Sequence, residues 1–139
     1  MSVPADCQQF LDKYFEAVKA KDVGKIRDFS AYASPAQSKD MPEANVDMLR
    51  QTAGRFAVDG FERMTKELGD FKSYSVANVK VTTIAAADPA ANMMGAGIHA
   101  EIGCKAKFSE KPALISLHLY KETQESEYHI LAWQYRVEL

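Results

Sequence analysis

The feature that most constrains this chain is a change of period at Phe71. Before it, apolar residues recur three or four apart, the repeat of helices with one buried face; after it they alternate, the repeat of strands with one buried face. "PADCQQFLDKYFEAVKAK" sets Phe10, Tyr14 and Val18 four apart with Leu11 and Phe15 beside them, on a helix opened by Pro4 and Asp6. Asp22 stands where the next helix needs an N-terminal acceptor, and "VGKIRDFSAY" follows with Val23, Ile26 and Phe29 until Ser34-Pro35 ends it. In "DMPEANVDMLRQTAGRFAVDGFERMTKELG", Asp40 and Glu43 have capping-box spacing, Gly69 makes a left-handed stop, and Val46, Leu49, Ala53, Phe56, Gly60, Met64 and Leu68 trace one buried stripe. Gly54 and Gly60 inside this helix each permit close packing at some loss of helix propensity.

The second half reads as four strands. In "SYSVANVKVTTIAAA" the apolar parity shifts between Val76 and Val79, which places a bulge near Ala77 and Asn78. "DPAANMMGAG" is expected to be a flexible hairpin tip. Ile98, Ala100, Ile102, Cys104, Ala106 and Phe108 then point one way, and His99, Glu101, Gly103, Lys105 and Lys107 the other. "ALISLHLYKE" runs back, and "YHILAWQYRVEL" closes with Leu131, Trp133, Tyr135 and Val137 on one face and His129 at the strand end. The expected architecture is α+β: one domain over residues 1–139, three N-terminal helices on one face of a curved four-stranded antiparallel sheet.

Several functions are disfavoured by composition. The net charge is -2, from 17 basic and 19 acidic residues with no basic stripe, so nucleic acid is not an expected partner. No apolar run approaches the roughly 20 residues of a membrane span, and "MSVPADCQQ" has no signal-peptide core. The chain reads as soluble, with cytoplasm and an exported mature form both open. Cys7 and Cys104 are either one disulfide or two buried thiols.

His99-Ala100-Glu101 looks like the H-x-E half of a zinc deaminase, yet the P-C-x-x-C that completes such a metal shell is missing. Cys104 also faces away from His99 and Glu101 on a strand, so no metal and no cofactor is expected. His118 lies between Leu117 and Leu119 and shares its face with Leu114, Ser116 and Tyr120. That half-apolar outer face suits a second copy of the chain, and those four residues are the expected homodimer interface.

"YFEAVKAKDVGKIRDFS", with Tyr14, Phe15, Ala17, Asp22, Ile26 and Phe29, followed by a long helix and a bent four-stranded meander, resembles the nuclear transport factor two-like superfamily, which includes ketosteroid isomerases and polyketide cyclases. "ELGDFKSYSV" and "KPALISLHLYKETQESEYHILAWQY" resemble the helix-to-strand junction and closing hairpin of small bacterial members of unknown function. The resemblance spans most of the chain and implies a cone-shaped, cystatin-like fold more than a chemistry.

In the isomerases a tyrosine at the position of Tyr14 donates to a developing oxyanion and a carboxylate after the second helix takes the substrate proton; Asp40 falls near that place. Asp40 also has a structural reading as a helix cap. Three functions stay open. The first is a non-enzymatic binding or interaction domain whose conical pocket, lined by Tyr14, Phe56, Phe108, Trp133 and Tyr135, holds a small apolar or amphipathic molecule. The second is isomerase-like or cyclase-like chemistry through Tyr14 and Asp40. The third is a purely structural dimerisation module.

Overall fold

The computed structural model describes residues 2–138. Its elements, in chain order, are helices α1 (Ala5–Ala20), α2 (Val23–Ser30), α3 (Pro35–Ser38) and α4 (Glu43–Leu68), strand β1 (Phe71–Ile84), helix α5 (Ala91–Met94), and strands β2 (Gly97–Phe108), β3 (Pro112–Lys121) and β4 (His129–Val137). The strands form one antiparallel sheet in the order β1-β2-β3-β4. The fold is the expected α+β arrangement, with three main helices against an open four-stranded sheet. Among the described residues no helix is long and apolar enough to cross a membrane.

The parity of β2 holds as read. Ile98, Ala100, Ile102, Cys104, Ala106 and Phe108 are all buried against the helices. Three bulges keep the neighbouring strands in step with this face, the first at Lys72, where the pairing of β1 jumps from Phe71–Phe108 to Ser73–Lys107. On β1 the pairing jumps from Val76–Cys104 to Asn78–Gly103, leaving Ala77 unpaired, so Val76 and Val79 both turn inward. On β4 it jumps from Leu119–Ile130 to His118–Ala132, leaving Leu131 unpaired, so Ile130 and Trp133 both turn inward.

Into that face pack Cys7, Phe10, Leu11, Tyr14, Phe15 and Val18 of α1 and Phe61, Met64 and Leu68 of α4. Each such large apolar side chain contributes about 1.5–3 kcal/mol. Phe15 stacks on Tyr74 at 4.1 Å between ring centroids, and the Tyr74 hydroxyl donates to Asp12 Oδ1 at 2.6 Å, fixing α1 on β1. Both cysteines are free and buried.

Several local expectations are corrected. Asp40 does not cap α4: it is exposed in the left-handed region (φ 58), and the helix starts after Pro42 with no side-chain cap. An Asp tolerates that conformation, which lets the chain turn before Pro42 fixes the helical approach. The capping box lies upstream, where Ser34 Oγ accepts from Gln37 N and Gln37 Oε1 accepts from Ser34 N; Ser34-Pro35 thus opens α3 rather than merely ending α2. Gly69 ends α4 at φ 88 and ψ -154, a region open to glycine but distinct from the left-handed helical stop. The hairpin tip contains a helical turn, α5, closed by Gly95.

Phe56 is 69% exposed and Phe61 takes the core position. At about 100° per residue, Phe61 points within about 20° of Leu68, whereas Phe56 points about 120° away. A stripe advancing by threes and fours drifts off the core face over a helix of 26 residues.

Lys121 ties the end of β3 to α1. It is 2% exposed, and its ammonium donates to Asp6 Oδ2 at 2.5 Å and to the Gln124 carbonyl at 3.0 Å, 4.7 Å from the centre of the Tyr128 ring. Burial by itself raises the Asp6 carboxyl pKa, and the hydrogen bond and charge of Lys121 outweigh it, leaving the group lowered. The stability this adds is complete above the ordinary carboxylate range and is lost as pH falls through and below it. Asp6→Ala strands a buried ammonium and is expected to cost about 3 kcal/mol, whereas Lys121→Met leaves a partly exposed carboxylate and costs roughly 1 kcal/mol or less. Urea unfolding of both variants at neutral pH checks the asymmetry, and equal losses would refute it.

Candidate functional site

Two concavities flank β4 and its neighbours, one on each side of the sheet. The first is a slot of about 220 Å³ between α4 and β4. The flank of α4 that carries Leu49, Ala53, Phe56 and Ala57 forms one wall, and Leu131 and Trp133 form the other. These α4 residues lie beside the core stripe: Leu49, Ala53 and Ala57 are half-buried, and Phe56 stands at the rim. The apolar arc of α4 is therefore wider than its own core covers. Ser30, Tyr32 and Gln37 supply the polar lining. Tyr32 stacks on His129 at 3.9 Å, and burial, followed by the nearby Glu122 carboxylate, pushes its phenol up to about 12; it is a neutral hydrogen-bonding group at physiological pH.

Trp133 sets the depth of the slot. Its ring lies where a Cβ on Gly60 would come within 2.8 Å of Cζ3, so glycine is needed for this close approach. On the other side, burial drives the Tyr14 phenol far above its usual range, and the neighbouring indole N–H partly offsets this. The pair nevertheless falls short of hydrogen-bond geometry. Trp133 Nε1 is the one fully buried side-chain polar atom without a partner among the described residues.

Of the expected pocket residues, Phe56 and Trp133 share this slot. Tyr14 is enclosed by Phe10, Phe15 and Phe29, and Phe108 packs on Phe71 in the core. Tyr135 donates to Glu67 Oε1 at 2.8 Å, towards the C-terminal end of α4. The Tyr14 hydroxyl is buried while Asp40 lies exposed in the turn before α4, so the two residues of the proton-transfer scheme are not gathered at one opening. Ala57 and Leu131 were missed as lining residues, and Leu49 and Ala53 had been assigned to the core stripe.

The second concavity is a dish of about 380 Å³ on the outer sheet face. Gly103 and Ala132 leave its floor low, and Asn78, Glu101, Ser116, His118 and Gln134 surround it. Behind His118 lies His99, 2% exposed and out of contact with water. His99 Nε2 is 2.8 Å from the Gly95 carbonyl oxygen, and His99 Nδ1 is 2.8 Å from His118 Nε2. The carbonyl only accepts, so His99 Nε2 carries a hydrogen. In the neutral pair His99 Nδ1 is then the acceptor, and His118 Nε2 must donate to it. That leaves His118 Nδ1 with its lone pair free. Burial, then the His99 ring, lowers the His118 pKa, and Glu101 opposes them.

Of the expected interface residues, Leu114 and His118 are half-buried and Ser116 is exposed. Tyr120 is a correction: it is 0% exposed within its own chain. Its hydroxyl donates to the Ala96 carbonyl at 2.5 Å, and Ala36 of α3 meets Gly95 beside it, so α3 and the end of α5 cap the sheet there. Among the described residues no group of three or more His, Cys, Asp or Glu side chains is placed to hold a metal ion.

No protein-family model, curated protein or solved structure matches the chain.

The closeness of Gly60 to Trp133 makes a paired test. Gly60→Ala gains about 1 kcal/mol of helix propensity but forces the indole aside, and a net loss of about 1–2 kcal/mol is expected. At Gly54 the added Cβ meets chiefly the stem of the exposed Arg27, which can turn away, so Gly54→Ala should be neutral or stabilising. Urea denaturation of the two variants reads the difference, and a stabilised Gly60→Ala would remove the indole from that position.

Proposed function

We propose that this chain is a non-enzymatic binding domain that takes a small apolar or amphipathic molecule into the slot between α4 and β4. The observation that carries this reading is the apolar flank of α4: Leu49, Ala53, Phe56 and Ala57 face Leu131 and Trp133 and are only partly covered by the rest of the described chain. An apolar cleft with a few polar groups in its wall is the usual form of a small-molecule site. At about 220 Å³ the slot lies below the usual range for drug-sized ligands, so its occupant is a short chain or single ring, or extends past Phe56 into solvent.

The element order agrees with the resemblance to the nuclear transport factor two-like superfamily, and the proposal keeps that resemblance as its expectation of ancestry. The proton-transfer alternative draws no support from an enclosed Tyr14 and an exposed Asp40.

Trp133 is the sole tryptophan, so its fluorescence reports on the slot directly. Titration with 1-octanol is expected to give a saturable change in emission and, at ten times the dissociation constant, about 1.4 kcal/mol of added stability. Ala53→Phe, which fills the slot from the helix side, should abolish both effects while the chain still unfolds cooperatively. A non-saturating response, or one that Ala53→Phe leaves unchanged, would defeat the proposal.

A further inference from the structure

We infer that the dish around His118 is a second binding site, one that recognises a cationic N–H donor, an ammonium or guanidinium group, through the Glu101 carboxylate and His118 Nδ1. It lies on the opposite face of the sheet from the slot and stands without it.

Glu101 and His118 are direct cross-strand partners, so their side chains stand side by side on the outer face. Glu101 only accepts hydrogen bonds when ionised. The chain of bonds from the Gly95 carbonyl through His99 makes neutral His118 present an acceptor at Nδ1 as well. The remaining polar groups, Asn78, Ser116 and Gln134, are neutral and can donate or accept. Two adjacent acceptors, one of them negatively charged, call for a ligand with several N–H donors and a positive charge.

His99 has no solvent contact and touches nothing that enters the dish, so it is a positioning residue: it fixes the tautomer and ring orientation of His118. Both His99 nitrogens are hydrogen-bonded, so its burial is compensated, and its bond to His118 holds that ring in place.

The charged and titratable groups facing His118 are Glu101 and His99 from β2, with Lys80 of β1 beyond Glu101. From β4 come Ala132 and Gln134, which carry no charge. Protonation of His118 turns Nδ1 into a donor and adds a positive charge beside the bound cation. Affinity therefore falls as pH drops through and below the ordinary imidazole range.

The test uses agmatine, which carries guanidinium and ammonium ends, with glutarate as the opposite-charge control. The full chain is followed by the backbone amide signals of Gly103 and Ser116 and the imidazole nitrogen signals of His118. In the free protein the His118 Nδ1 nitrogen should resonate as unprotonated and Nε2 as protonated; the reverse tautomer overturns the inference without any variant being made. Agmatine should shift the dish signals saturably and glutarate should not. Glu101→Gln and His118→Gln should each weaken binding by roughly tenfold or more, the worth of a charged hydrogen bond. His99→Gln should let His118 populate its other neutral tautomer while the pH dependence, which His118→Gln removes, persists; its failure to fold would leave the tautomer measurement and the other two variants to decide. Signals unmoved by millimolar agmatine, equal response to glutarate, or unchanged affinity in Glu101→Gln would each overturn it. So would a doubled mass in sedimentation with the dish closed to agmatine, which would give this face to a second copy of the chain.

Discussion

The whole arrangement depends on the strict alternation of β2. Six inward side chains from Ile98 to Phe108 give the sheet one apolar face, and the helices collect on that face because nowhere else can they bury their own stripes. Every residue of opposite parity is thereby sent outward. A slip of one residue would exchange the two sets, placing Lys105 and Lys107 in the core, and the cost of burying unpaired ammonium groups makes that register untenable. The bulges at Ala77 and Leu131 serve the same constraint on β1 and β4, resetting the alternation so that Val79 and Trp133 come back to the inner face.

Both concavities follow from this. The bulge at Leu131 brings Ile130 and Trp133 to one face, and Leu131 and Trp133 together make the β4 wall of the slot. Gly60 then allows α4 to approach the indole, while the flank bearing Leu49, Ala53 and Phe56 overhangs it. On the other face, the same parity that excludes His99 and Glu101 from the core sets them beside Tyr120 and His118 respectively. His99 is buried all the same, because the turn at Gly95 and the short helices α3 and α5 fold over that end of the sheet. A buried imidazole on the solvent side of a strand is thus the product of a loop, and only half the product of the strand.

How much was legible in the sequence follows the range of the interactions involved. The inward face of β2, the Ala77 bulge, the cap at Asp22 and the α+β order all rest on neighbours within a few residues, and all were readable. Phe56 was misplaced because a spacing of three and four tolerates angular drift, and the choice between Phe56 and Phe61 is made only where the sheet meets the helix. Asp40 satisfied a local capping rule, but Pro42 and the preceding left-handed turn set the true start of α4. His99 and Tyr120 were read as surface residues because alternation carries no information about loops that return over a sheet. The slot was half visible: Phe56 and Trp133 were named as lining residues, but for a conical interior, where Tyr14 and Phe108 instead pack into the core.

The most direct test of the central constraint is the alkylation rate of Cys104 in the folded chain, compared by peptide mapping with that of a thiol introduced by Lys105→Cys. Burial pushes the Cys104 thiol up to about 12, and its side chain lies against the helices, so it should react only on unfolding. The neighbouring thiol, one step along the same strand and facing water, should react at the rate of an exposed cysteine. Equal rates, or a faster Cys104, would mean that β2 does not present this face to the core.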